Sequence, residues 1–182
     1  MNHGSFIQLS EKFSYLNKNI YVANPIDCFR RDSPSLVRID ITYGRGSAAS
    51  WLFGVLQSMF AFLGVTDDKF SKEQIYNLSL TIASQYKTLK VAEILLFVSR
   101  FEAGKYGRFY GDTSYALTLT EAMNTFMEER YRFYDEIEMQ RERKRILEGN
   151  KGAISFDEYK RMKESKGEKV SDELNKLYNN NS

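Results

Sequence analysis

A chain of 182 residues with 42% hydrophobic and 27% charged residues has enough apolar side chains for one folded domain, and it is too short for two large ones. Its formal net charge of +2 gives no reason, by itself, to expect a nucleic acid or a membrane as partner. The single cysteine, Cys28, excludes a disulfide within the chain and a site built from several cysteines, and it favours a reducing compartment.

The N-terminal part predicts a short helix, a loop and a segment with two possible structures. Between Asn17 and Ser33 the helical periodicity is lost, and Pro25 indicates a loop. Ser33 and Pro34 then predict the start of a brief helix, although the alternation of apolar residues over 37–41 also fits a short strand. The first helix is predicted from large apolar residues at steps of three and four: Phe6, Leu9, Phe13 and Leu16.

The middle of the chain predicts three helices. Residues 51–63 have apolar side chains on more than one face, which is typical of a central helix, and Gly64 follows where helices usually end. Ser71 and Gln74 have the spacing of a capping box, so a second helix is expected to begin there. The apolar stripe over residues 91–101 predicts the third.

A long helix is predicted from Tyr115 to Leu147, because this stretch has neither proline nor glycine. Its second half, from Glu128 to Arg145, is mostly charged, which indicates that the helix leaves the globule. Ser155 and Glu158 form another capping-box pattern and predict a short later helix. The polar end of the chain has too little apolar surface to order itself.

These elements predict an all-α protein. We expect a compact bundle of about five helices, a long C-terminal helix that extends from it, and a short helical, partly flexible tail. The expected domains are a helical globular domain over residues 1–132 and a charged helical extension with a polar tail over 133–182. The most apolar run, 51–65, is shorter than the roughly 20 residues that a bilayer crossing needs, so no membrane partner is expected.

The most distinctive local string runs from Gly104 to Gly111, where three glycines alternate with aromatic and basic residues. Rings that stack on bases, together with cations that meet phosphates, are the combination used to bind single-stranded nucleic acid. The alternative, which we favour, is that the rings plug the ends of two core helices. The candidate nucleic-acid-binding residues are Lys105, Tyr106, Arg108, Phe109 and Tyr110.

The charged half of the long helix predicts contact with protein. Its basic cluster, 141–145, has glutamates at helical neighbour distances that cancel most of the positive field, which favours a partner-binding arm over a DNA clamp. The partner is expected to be another protein or a second copy of the chain. The candidate partner-binding residues are Phe133, Ile137, Arg141 and Arg145.

No catalytic residue, metal site or cofactor is predicted. His3 is the only histidine and lies near a terminus, whereas Ser-His-Asp and Cys-His mechanisms need a rigidly held imidazole. Arg30 and Arg31 near Cys28 are compatible with an activated thiol, but a small buried side chain is the favoured interpretation. The chain is therefore expected not to be an enzyme.

The region from Ser33 to about Arg132 resembles an uncharacterised family of small helical proteins found in gut bacteria, their mobile elements and their phages. The resemblance rests on four strings, of which the last is the most specific: Ser33-Pro34-Ser35-Leu36, residues 71–75, residues 86–94, and residues 101–111 with the sequence FEAGKYGRFYG. It implies a helical domain and a mobile-element or phage setting, and hence the host cytoplasm or a virion as the location.

The function expected from these observations is that of a non-enzymatic accessory or adaptor protein of a phage or mobile element, in DNA replication or other handling of nucleic acid. The alternative is a structural or assembly protein of a phage virion, whose helical extension packs on other subunits.

Overall fold

The computed structural model describes residues 4–23, 25–30, 33–107, 115–150 and 156–165. Within these ranges the chain is helical and has no β-strand, which confirms the predicted all-α fold. A short 3-10 helix covers Tyr15–Asn17. The α-helices of the described residues are α1 (Phe6–Lys12), α2 (Asn19–Ala23), α3 (Pro25–Arg30), α4 (Leu36–Tyr43), α5 (Ser47–Phe62), α6 (Lys72–Gln85), α7 (Val91–Glu102), α8 (Tyr115–Asn150) and α9 (Phe156–Ser165).

The chain divides into two compact units, Met1–Tyr134 and Asp135–Ser182. The first unit contains α1 to α7 and the part of α8 that ends at Tyr134. The second contains the rest of α8 and α9. The predicted division into residues 1–132 and 133–182 stays a prediction.

The core of the first unit lies around α7. Every residue from Val91 to Val98 is buried, so this helix is enclosed on all sides. Helices α2 and α3 lie against it. From α8 it meets Phe126, which is fully buried with its ring 5.5 Å from that of Phe97. The most enclosed helix is therefore α7, whereas the sequence indicated α5, whose residues Ser50, Phe62 and Ala61 are exposed.

The predicted boundaries of α5 and α6 are largely confirmed. Ser71 accepts a hydrogen bond from the Gln74 amide, and the Gln74 side chain accepts one from the Ser71 amide, which completes the capping box. Gly64 has a φ of 74°, a conformation that glycine adopts without the clash of a Cβ atom, and it directs the chain away after α5. At its other end α5 is preceded by Gly46, which has a φ of 92°.

The predicted loop from Asn17 to Ser33 is wrong, because α2 and α3 lie in it. Pro25 opens α3 at the first helical position, where its missing amide proton costs no hydrogen bond. The buried side chains of Tyr21 and Phe29 hold the two short helices on the core, which supplies the stability that their length cannot. Tertiary packing thus determined structure that periodicity over so few residues did not reveal.

The first helix is shorter than its apolar pattern indicated. It ends at Lys12, and the 3-10 turn at Tyr15 changes the direction of the chain, so Leu16 is exposed rather than buried. Phe13 remains in the core, and its carbonyl accepts a hydrogen bond from the indole nitrogen of Trp51 at 3.0 Å. This bond ties the start of the chain to α5.

Of the two structures considered for residues 37–41, the helix is correct. Before α4 the chain is extended, and an isolated antiparallel bridge joins Ser35 to Lys90. The Leu36 amide donates to the Leu89 carbonyl and the Val91 amide to the Pro34 carbonyl, each at 3.0 Å. These bonds fix the start of α4 beside the start of α7.

In the second unit, α8 continues to Asn150, beyond the predicted end at Leu147. The predicted short helix is present as α9, although its expected cap, Ser155, lies outside the described residues. The polar tail after residue 165 also lies outside them.

Candidate interaction surfaces

Lys105 is held by an acidic residue of α8. Its ammonium nitrogen lies 2.7 Å from Glu129 Oε2, and Arg100 of α7 donates to the same oxygen at 2.8 Å. Two cations therefore share one carboxylate at the end of α7. Because the Lys105 side chain is 44% exposed, it still contacts solvent while it is paired.

Tyr106 packs on the core. Its ring stacks on Phe97 with 5.6 Å between the centroids, and its hydroxyl is buried without a hydrogen-bond partner among the described residues. Burial raises the pKa of Tyr106 to about 12, and the nearby Arg100 opposes this shift. These are the contacts that the packing alternative predicts for this ring.

The remaining candidates of the loop, Arg108, Phe109 and Tyr110, lie outside the described residues. The structure brings Lys105 and Tyr106 to the same end of α7. Nucleic-acid binding by the five residues stays a prediction.

The four candidates on α8 differ in their surroundings. Phe133 is half-buried, and its ring centroid lies 4.4 Å from that of Phe29 of α3. Ile137, in the second unit, is buried. Arg141 and Arg145 are exposed and pair along the helix with Glu138 at 3.7 Å and Glu142 at 3.1 Å. Such exposed pairs contribute little to stability, so both guanidinium groups remain available for other contacts.

A buried polar cluster that the sequence analysis missed joins α7 to α8. Glu93 is fully buried, and its carboxylate accepts from Arg130 Nε at 3.1 Å, from the Tyr134 hydroxyl at 2.7 Å and from the Lys90 amide at 2.9 Å. Burial and the bond to Glu93 raise the pKa of Tyr134. Three donors thus compensate one buried carboxylate, which is the condition for keeping a charge in a core.

The sequence did carry a signal for this cluster. Arg130 and Tyr134 are one turn apart on α8, and they share a face with Phe126 and Phe133, which pack on Phe29. Polar side chains within an apolar stripe indicate a buried partner of opposite charge.

A second polar cluster lies at the C-terminal end of α7. Glu102 forms an ion pair with Lys18, and it accepts from the Tyr15 hydroxyl at 2.7 Å. The Lys18 ammonium lies 3.8 Å from the centre of the Tyr15 ring. Burial and the bond to Glu102 raise the pKa of Tyr15. The cluster attaches the 3-10 helix to α7.

A groove of about 430 Å³ lies between α1, the 3-10 helix and α5. Phe6, Tyr15 and Trp51 line it, and Gly54 forms part of the wall with open space where a Cβ atom would lie. Ser58 donates to the Gly54 carbonyl at 2.9 Å, so this hydroxyl is satisfied within α5. The groove is consequently apolar in character.

No group of three or more histidine, cysteine, aspartate or glutamate side chains in the described part of the chain is placed to hold a metal ion. None of its helices combines the length and the apolar character that crossing a membrane requires.

Comparison with known proteins gives one kind of match. Residues 69–169 match the model of DUF6633, a family of unknown function. The matched region extends from the end of the α5–α6 connection through α9. No curated protein and no solved structure matches the chain.

Proposed function

Because the chain belongs to the DUF6633 family, whose function is unknown, we propose a role from its own residues: it is a non-enzymatic accessory or adaptor protein that acts by binding other macromolecules. One observation carries the proposal. Every residue from 138 to 148 on α8 is exposed, and the ion pairs described there join neighbours along the same helix. A charged helical surface of this kind suits contact with a partner.

The buried ionisable groups support a role without catalysis. Glu93 accepts three hydrogen bonds, and Glu102 is engaged by Lys18 and Tyr15. A general base needs a free lone pair within reach of a substrate proton. These carboxylates instead join helices to one another.

The partner-binding candidates divide accordingly. Phe133 packs on Phe29, so its ring takes part in the internal packing of the first unit. Arg141 and Arg145 present charge to solvent and are the residues from which we expect a partner to be recognised.

The finer part of the proposal is a role in nucleic-acid handling of a phage or mobile element. The setting comes from the resemblance of the string 101–111 to small helical proteins of gut bacteria, their mobile elements and phages. Residues 1–111 contain 13 lysine and arginine residues against 9 aspartate and glutamate residues, so the basic excess lies in this part of the chain. Lys105 and Arg108 are the cations that would meet phosphates.

Fluorescence anisotropy with labelled single-stranded and duplex DNA tests this part. We expect binding at low salt that weakens steeply as salt rises, because phosphate contacts release counterions. Lys105→Gln should reduce the affinity, whereas Lys72→Gln, at an exposed lysine of α6, should not. An absence of binding by the full chain at low salt would reject nucleic-acid handling.

The second candidate function is a structural or assembly protein of a virion. Three large apolar side chains of the second unit are exposed on α8, and apolar surface of this kind suits subunit packing: Met139, Ile146 and Leu147. Antibody detection of the chain in purified particles of a phage that encodes it decides between the two. Presence in particles at a fixed copy number favours assembly, whereas confinement to infected-cell extract favours the accessory role.

A further inference from the structure

The charges of α8 within the second unit are separated into two blocks. The acidic block contains three acidic and no basic residues: Asp135, Glu136 and Glu138. The basic block contains four basic residues and one acidic residue: Arg141, Glu142, Arg143, Lys144 and Arg145. All eight side chains are exposed. The helix therefore has an acidic segment directly followed by a basic one.

We expected the interleaved glutamates to cancel most of the positive field, but the ion pairs along the helix are exposed and weak, so they leave this separation in place. Arg141 lies 3.7 Å from Glu138 and Arg145 lies 3.1 Å from Glu142, in exposed pairs at a spacing of three residues. Exposed pairs of this kind contribute little, because solvent screens both charges. The acidic block thus keeps most of its capacity to attract a cation from outside the helix.

Met139 lies between the two blocks and is 54% exposed. Steps of three, four and seven residues place Glu136, Arg143 and Ile146 on the same face of the helix as Met139. Ile137 is two positions from Met139, on the other side of the helix, and is buried. The face that carries Met139 and Ile146 is consequently an exposed face with an apolar centre and charges beside it.

We propose that this face binds the same face of a second copy of the chain, with the two helices antiparallel. In that orientation the acidic block of each copy lies beside the basic block of the other. Glu136 then faces Arg143 of the second copy, Asp135 lies on the same face beside that arginine, and the two Met139 side chains meet near the two-fold axis. A parallel pair would set acidic block beside acidic block, which repels.

This inference rests on the proposed binding role of the segment and names its first partner. We choose a second copy as the partner because an acidic segment followed by a basic one is complementary to the same helix running in the opposite direction. A two-fold interface requires this self-complementarity. With few apolar residues, the interface is small and mainly electrostatic, so the dimer is weak and sensitive to salt.

Sedimentation equilibrium of the full chain without nucleic acid is the primary test. We expect a monomer–dimer equilibrium between micromolar and near-millimolar protein, with a dissociation constant that rises about tenfold or more when salt screens the charges. A monomer over the whole concentration range at low salt would overturn the proposal.

Charge reversal identifies the surface. Asp135→Lys/Glu136→Lys and Arg143→Glu should each abolish dimerisation, and an equimolar mixture of the two variants should restore it. The control, Glu11→Lys/Glu121→Lys, makes the same charge change as the first variant at exposed positions of α1 and α8 outside the second unit. Dimerisation that survives both reversals would overturn the proposal.

Cysteine cross-linking tests the orientation and needs only single substitutions. In the antiparallel pair, Asp135 of one copy lies near Ile146 of the other, so Asp135→Cys and Ile146→Cys should form a disulfide only when the two variants are mixed. The native Cys28 is buried and should not compete. Efficient cross-linking of either variant with itself would overturn the antiparallel arrangement, even if the charge-reversed variants fail to fold by circular dichroism.

The outcomes separate this inference from the proposed function. A chain that binds DNA but stays monomeric retains the proposed function and loses the self-association. A salt-sensitive dimer that does not bind DNA retains the self-association and loses nucleic-acid handling.

Discussion

Glu93 of α7 and Arg130 of α8 form a buried ion pair in which 3.1 Å separates Glu93 Oε2 from Arg130 Nε. The glutamate side chain has no exposed surface and the arginine side chain has 10%. Arg130 also donates to the Thr88 carbonyl at 3.3 Å. The pair therefore links α8 to α7 and to the turn before it, and its effect on stability depends on keeping both charges.

Removal of Arg130 should destabilise the fold strongly. Arg130→Ala leaves the Glu93 carboxylate buried without its cation, and breaking a buried pair in this way costs about 3–5 kcal/mol. Urea unfolding followed by circular dichroism measures the loss. Arg132→Ala is the matched control, because Arg132 is 75% exposed and its pair with Glu128, at 3.5 Å, should be worth about 1 kcal/mol or less. Equal effects of the two substitutions would show that the buried pair is not the stronger link.

Two glycines at α5 should respond in opposite directions to alanine. Gly46 precedes the helix with a φ of 92°, so Gly46→Ala should destabilise by about 1–2 kcal/mol. Gly54 lies within the helix, and a Cβ atom there meets nothing within 4 Å. Gly54→Ala should therefore stabilise by about 0.5–1 kcal/mol, because alanine loses less backbone freedom on folding. Thermal unfolding of the two variants beside the wild type is sufficient, and a destabilised Gly54→Ala would mean that the wall of the groove does not accept a methyl group.

The indole of Trp51 should contribute through its hydrogen bond as well as its burial. Trp51→Phe leaves the Phe13 carbonyl without its donor, which costs about 1–3 kcal/mol, and it removes apolar contact. Chemical denaturation measures the change, with Tyr76→Phe at a partly exposed ring of α6 as the control. Loss of stability should be accompanied by increased proteolysis near residue 13, because the start of the chain loses its attachment to α5.

The sequence predicted the helices in which apolar side chains recur on one face over three or more turns. The stripes of α6 and α7 were long enough to show a period of 3.6 residues, and the capping box at Ser71 marked a boundary that the structure reproduces. The short helices α2 and α3 were missed because five or six residues give no measurable period, and their stability comes from burying Tyr21 and Phe29.

The contacts of the candidate site residues could not be predicted from the sequence, for a different physical reason. A partner of a charged side chain is defined by distance in space, and Lys105 and Glu129 are 24 positions apart in the chain. The same holds for Glu93 with Arg130 and Tyr134. Composition identified Tyr106 as a residue of interest, but only the position of Phe97 shows which surface its ring covers.

Tyr106 should make the fold sensitive to alkaline pH. Burial raises its pKa from 10.0 to about 12, so between these values the unfolded chain releases the phenolic proton while the folded chain retains it. The unfolded state then binds fewer protons than the folded state, and stability falls as the pH rises through this interval. Below pH 10 this contribution is fully present.

Tyr106→Phe removes the titrating group and also a buried hydroxyl that has no hydrogen-bond partner among the described residues. We expect the variant to be at least as stable as the wild type at about pH 8 and to lose less stability at about pH 11, as measured by urea unfolding at both values. Tyr131→Phe is the control: its side chain is 56% exposed, so the alkaline loss should stay that of the wild type. An unchanged alkaline loss in Tyr106→Phe would instead assign the sensitivity to Tyr15, Tyr86 and Tyr134, whose pKa values burial also raises.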